Sequence, residues 1–155
     1  MEELDRVRAH TAPEINDRLD TRRLDHVAAL VGASPEEITR RLHELDREWD
    51  VERTLEANAA ALTLLSLVLG ATRSRGWFAL TAAVPAFLLQ HAVQGWCPPL
   101  AVLRRLNVRT RREIDAERTA LKGLRGDFDG LTPTAGDRTA VARRALDAAG
   151  RRQPA

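Results

Sequence analysis

The chain has 155 residues, 24 Lys and Arg against 22 Asp and Glu, and a formal charge of +2. That length allows one domain with extensions, and the near balance of charge removes the broad basic field that would argue for nucleic acid as a partner. A single cysteine, Cys97, excludes an intramolecular disulfide framework and a multi-cysteine metal site.

The first 20 residues mix Arg, Asp and Glu without an apolar run, so no secretory signal peptide is expected there. Thr11-Ala12-Pro13-Glu14 fits a capping box, with proline in the first turn where its missing N–H costs little. Ile15, Leu19, His26, Val27, Leu30 and Val31 then follow helical spacing, and Gly32 is a natural stop. Ser34-Pro35-Glu36-Glu37 is a second capping box with proline at the first helical position. Ile38, Leu42, Leu45, Trp49 and Leu55 continue at helical intervals with a lapse at Glu52. No breaker occurs between Glu36 and Leu69, so one unbroken helix is expected there. Its roughly 20 charged-face residues would project about 30 Å.

Two apolar segments follow. Ala57 to Thr72 has 16 uncharged residues, and Gly76 to Leu103 has 28 residues without a full charge, separated by Arg73-Ser74-Arg75. Trp77 and Trp96 frame the second segment, about 28 Å apart along a helix. That approaches the hydrocarbon thickness of a bilayer, and Trp settles at both membrane interfaces. The mean hydropathy of the whole chain, −0.32, conceals this because charged ends dilute an apolar middle. After Pro98-Pro99, Leu100, Val102, Leu103 and Leu106 sit beside Arg104 and Arg105, the pattern of a short interfacial helix whose arginines face headgroups. Thr110-Arg111-Arg112-Glu113 is a third capping box, opening a helix to about Arg125 with Gly126 as terminator. Asp127 to Gly136 reads as a linker, Asp137 to Ala149 as a weakly amphipathic helix, and the remainder as a disordered tail.

The expected fold is all-α: a two-helix transmembrane hairpin flanked by amphipathic cytoplasmic helices. Its parts are an N-terminal cytoplasmic region (1–54), a hairpin with interfacial helix (55–108; spans about 57–72 and 77–96), a cytoplasmic helix (109–126), and a linker with flexible tail (127–155). Arginines flank the pair on both chain ends, Arg40, Arg41, Arg47 and Arg53 before it and Arg104 to Arg118 after it. Only Arg73 and Arg75 lie in the turn, so the positive-inside rule puts both termini in the cytoplasm. A soluble helical adaptor is the alternative, with the two segments as a buried core.

Gly95-Trp96-Cys97-Pro98-Pro99-Leu100 resembles the signature that closes the second helix in the YgaP-type transmembrane hairpin family of bacterial inner-membrane proteins. The resemblance covers about Leu55 to Val108. It implies a hairpin that self-associates or meets another membrane or cytoplasmic protein. The rhodanese domain fused to the hairpin in the namesake has no counterpart here, so sulfurtransferase activity does not carry over.

Four groups of side chains are candidates for function. Cys97 is either a reactive thiol, with Arg104 and Arg105 favouring its thiolate in a sulfur relay or redox sensor, or a small residue packed at a helix end. Gln90, His91 and Gln94 are intramembrane polar groups, expected to hydrogen-bond across helices. Ala59, Thr63, Ser66 and Gly70, facing Ala79, Ala82, Ala83 and Ala86, form small-residue faces that let backbones approach. Trp77, Trp96, Arg104 and Arg105 are interface anchors. No nucleophile–base pair, phosphate loop, metal cluster or carboxylate dyad stands out. The expectation is a non-catalytic anchor or assembly unit with the lipid bilayer as partner, without metal, cofactor, nucleic acid or small-molecule substrate.

Overall fold

A computed structural model describes residues 5–129, 131 and 138–150. Among these the chain is all helical, with eight helices and no strand: α1 (Arg6–Ala9), α2 (Pro13–Ala29), α3 (Pro35–Arg47), α4 (Val51–Thr72), α5 (Trp77–Gln94), α6 (Pro98–Arg105), α7 (Arg111–Arg125) and α8 (Arg138–Gly150). The linker expected over 127–136 is described only for Asp127 to Asp129 and Leu131, and the tail 151–155 lies outside the described residues. The chain divides into two units, Met1–Thr21 with Trp49–Glu113, and Arg22–Glu48 with Ile114–Ala155.

The first unit is organised by α4 and α5, which pack along each other and are joined by a short turn at residues 73–76. At their open end, Val51 and Leu55 of α4 bury against Val7 of α1, Cys97, and Leu100 of α6, with Leu88, Leu103 and Val108 at the edge of the cluster. Gly95 ends α5 with φ +76°, a left-handed conformation that favours glycine, and its N–H donates to the His91 carbonyl at 2.7 Å. Arg6 lies across that terminus, donating through Nη1 to the carbonyls of Ala92 and Val93 at 3.4 and 3.0 Å. A cation there satisfies carbonyls that the helix leaves unpaired and complements its dipole.

The second unit is built on Ile38, Leu42 and Leu45 of α3 against Ile114 and Leu121 of α7, with Val27, Leu30 and Ala33 packed beside them. Ser34 and Glu37 form the expected capping box at the start of α3. Glu117 is fully buried and accepts from Arg41 Nε and Nη2 at 3.0 and 2.9 Å. Lys122 donates to the carbonyls of Ala148 and Ala149 near the end of α8. Burial holds its ammonium below the usual lysine range.

The helix expected to run unbroken from Pro35 is interrupted. α3 stops at Arg47, Glu48 is extended, and Asp50 caps α4 by accepting from the Arg53 N–H at 2.7 Å. The Val51 N–H donates to the Arg109 carbonyl at 3.0 Å, so α4 begins where its first orphan donor finds a partner. The projecting helix is therefore absent.

The stretch Pro35–Thr72 holds one window long and apolar enough to cross a membrane, by length and composition alone. Its mean hydropathy is 1.5, and 17 % of it is buried. The break at residues 48–50 places that apolar part in α4. α5 has the length, but Pro85, Gln90, His91 and Gln94 lower its hydropathy.

A Cβ on Gly95 would stand 2.4 Å from Arg6 Cβ and 3.1 Å from the Arg6 carbonyl carbon, whereas one on Gly123 in α7 meets nothing within 4 Å. Gly95→Ala is expected to destabilise the protein by about 2 kcal/mol or more, through left-handed strain and displacement of Arg6. Gly123→Ala is expected to stabilise by up to about 1 kcal/mol. Unfolding followed by circular dichroism checks both.

Candidate functional site

The hairpin and the polar junction at its open end hold the residues with the most to say about function. Arg104, in the last turn of α6, is 1 % exposed. Its guanidinium donates to both carboxylate oxygens of Glu113 at 2.7 and 2.8 Å, to Thr11 Oγ1 at 3.2 Å, to Asn16 Oδ1 at 3.0 Å and to the Val108 carbonyl at 3.1 Å. The planar fork of arginine matches a carboxylate in this two-bond geometry. The expectation that Arg104 faces headgroups is therefore overturned: its donors are spent inside the protein. Arg105 is exposed.

Glu113 closes the third capping box as well. Its Oε2 accepts from the Thr110 N–H at 2.8 Å, and its own N–H donates to Thr110 Oγ1 at 3.3 Å. Arg8 adds a further bond to Glu113 at 2.6 Å and pairs with Asp20, whose carboxylate it meets at 2.7 and 3.0 Å. Burial alone would raise the Glu113 carboxyl. The bonds from Arg104, the Thr110 N–H and Arg8 outweigh it and hold the group below the usual carboxylate range. Thr11 does not cap α2 as its sequence pattern suggests. Its hydroxyl donates to the Val7 carbonyl at 2.7 Å and accepts from Arg104.

Between the helices of the hairpin, the α4 face carries Ala59, Thr63, Ser66 and Gly70, all buried or half-buried. Ser66 Oγ and Thr81 Oγ1 share a hydrogen bond of 2.8 Å. A Cβ on Gly70 would stand 2.8 Å from the Phe78 ring, so glycine sets the approach of the helices near the turn. On α5 the covered positions are Thr81, Val84, Leu88 and His91, with Ala83 half-buried beside them. Ala79, Ala82 and Ala86, expected to face α4, are exposed; the hydroxyl pair rotates α5 toward Thr81 instead. Pro85 lacks the N–H that would bond the Thr81 carbonyl.

The polar trio of α5 separates. His91 is buried, Gln90 half-buried and Gln94 exposed, and neither glutamine bridges to α4 among the described residues. Trp77, the first residue of α5, and Trp96, two residues past its end, are 40 % and 39 % exposed.

Cys97 is 3 % exposed and free, in the apolar cluster with Leu100 and Leu55. Burial pushes its thiol up, against a weaker opposing contribution from the Leu100 N–H. Arg104 is fully engaged with Glu113 and its neighbours, so the reactive-thiol alternative loses one of the two arginines that would favour its thiolate. Sequence reasoning missed Arg8 and Asn16, which reach Glu113 and Arg104 only through long-range contacts, and gave no role to Glu52 in the first turn of α4.

No protein-family model matches the chain, no curated protein is similar to it, and no solved structure matches it. Among the described residues there is no group of His, Cys, Asp and Glu that could hold a metal ion.

Removing Arg104 leaves the Glu113 charge buried. Arg104→Ala is expected to cost about 3–5 kcal/mol, and Arg105→Ala less than about 0.5 kcal/mol, read from denaturation curves. Because folding lowers the Glu113 pKa, its stabilisation is present above the unfolded value of about 4.3 and is lost as pH falls through the lower folded value. Stability should therefore drop on acidification below about pH 4, and Glu113→Gln should flatten that part of the profile. Cys97 should react with a water-soluble thiol reagent more than about tenfold slower in the native protein than in denaturant; equal rates would contradict its burial.

Proposed function

We propose that α4 and α5 form a two-helix transmembrane hairpin, and that the chain is a small integral protein of a bacterial inner membrane with both termini in the cytoplasm. It acts as a non-catalytic anchor or assembly unit, pairing with a second copy or with another membrane or cytoplasmic protein.

One observation carries the reading. Both helices leave large apolar side chains uncovered around their outer faces: Leu64 and Leu65 of α4 are 64 % and 55 % exposed, Phe87, Leu89 and Val93 of α5 47 %, 66 % and 65 %. Burying one such side chain is worth about 1.5–3 kcal/mol, so a soluble adaptor would forfeit that sum along two whole helices. In a bilayer these faces meet hydrocarbon, and the backbone is satisfied within each helix. Trp77 and Trp96 then mark the two interfaces of the second span.

The signature on which the YgaP-type resemblance rests closes α5 in this chain. Gly95 turns the backbone left-handed to end α5, Cys97 is extended, and Pro98 opens α6 at a position where its missing N–H is harmless. The small-aromatic-Cys-Pro sequence thus redirects the chain from the second span. Exposed Arg105, Arg111 and Arg112 follow it on the side assigned to the cytoplasm.

The test is alkaline-carbonate extraction of membranes from cells expressing the full chain. Retention in the pellet is expected. Release into the supernatant would overturn the hairpin and leave a soluble helical adaptor.

A further inference from the structure

At the open end of the hairpin, the start of α4, the end of α5 and the segment around α1 enclose a polar cleft of about 470 Å³. Its charged and polar lining is Asp5, Arg6, Glu52, Glu56, His91 and Arg112. Asp5 is committed, capping α1 and accepting from Thr110 Oγ1 at 3.0 Å. Arg6 is anchored on the Ala92 and Val93 carbonyls. Two buried atoms of the lining have no hydrogen-bond partner: Glu52 Oε2 and His91 Nδ1. His91 is 8 % exposed.

Leaving buried polar atoms unpaired costs free energy comparable to a lost hydrogen bond. A carboxylate only accepts, and an imidazole protonated on Nε2 accepts at Nδ1. A group that satisfies both must therefore donate in more than one direction. A primary ammonium has three donors and a charge that complements Glu52 and Glu56. Arg6 and Arg112 border the same cleft and suit an anionic group carried next to that amine.

We propose that the cleft binds a primary ammonium group carried beside a phosphate, the chemistry shared by an ethanolamine phospholipid headgroup and free phosphoethanolamine. The lipid form deepens the hairpin reading and rests on it; the free form stands without it. A choline headgroup has no N–H and cannot donate to Glu52 or His91.

The experiment uses the full chain, purified in detergent and stripped of lipid. Retention of phosphatidylethanolamine and phosphatidylcholine is compared by native mass spectrometry, and O-phosphoethanolamine is titrated by calorimetry. An ethanolamine preference of about tenfold or more is expected, reduced severalfold in both Glu52→Gln and His91→Leu at unchanged helicity. Preference among the lipids without binding of O-phosphoethanolamine assigns the site to lipid; the reverse assigns it to the free compound. Equal retention of the two lipids together with no O-phosphoethanolamine binding overturns the proposal, as does a preference that both variants keep. Carbonate extraction of the same protein separates the two readings. A chain released from membranes that still binds O-phosphoethanolamine keeps the cleft and loses the hairpin. A chain retained in the pellet without headgroup preference does the opposite.

Discussion

The Glu113 carboxylate serves two structures at once. It closes the N-terminal cap of α7 through Thr110, and it neutralises Arg104 at the end of α6. Neither charge is tolerable alone at that depth, because an unpaired buried ion carries a desolvation cost of several kcal/mol. The remaining donors of Arg104 and the bond from Arg8 draw in Thr11, Asn16 and Asp20. The N-terminal segment is thereby fixed against the segment that follows the hairpin. The register of both rests on one ion pair with every partner accounted for.

That charged junction contrasts with the body of the hairpin. Between α4 and α5 the facing side chains are mostly small: one hydroxyl pair, one glycine against an aromatic ring, and alanine and threonine elsewhere on α4. Outward, both helices present leucine, phenylalanine and valine. Close approach of small residues is how helices associate when the surroundings are as apolar as their own side chains. Under the proposed function the division has a simple cause. The apolar body needs no covering from the rest of the chain, while the buried Arg104–Glu113 pair is satisfied by partners within the chain. Cys97 packs in the apolar cluster beside this junction, where burial pushes its thiol pKa up.

Features whose partners lie within four residues were legible in the sequence. The caps at Ser34 and Thr110, the stop at Gly126 with φ +83°, and the limits of α5 between its two tryptophans all depend on local geometry. Features whose partners lie far along the chain were not. Arg104 reads as an interfacial cation until Thr11 and Asn16, 93 and 88 residues away, are seen to accept from it. The same distance hides the hydroxyl of Thr11, which caps nothing because Arg104 and Val7 engage it. The interruption before α4 had a local signal in Asp50, three residues before the N–H it caps, but the apolar periodicity on either side obscured it. Which face of α5 meets α4 was not readable, since alanine spacing occurs on several faces of an alanine-rich helix and the decisive contact is between Ser66 and Thr81.

The central claim is that the outer faces of α4 and α5 lie in hydrocarbon. The most direct test places nitroxide spin labels singly at Leu65, Leu89 and Leu146 in the full chain in phospholipid vesicles, and compares collision rates with oxygen and with a water-soluble nickel chelate. Leu146, 72 % exposed on α8, serves as the aqueous reference. The account expects Leu65 and Leu89 to be accessible to oxygen and shielded from nickel, with Leu146 the reverse. Nickel accessibility at Leu65 and Leu89 equal to that at Leu146 would contradict it.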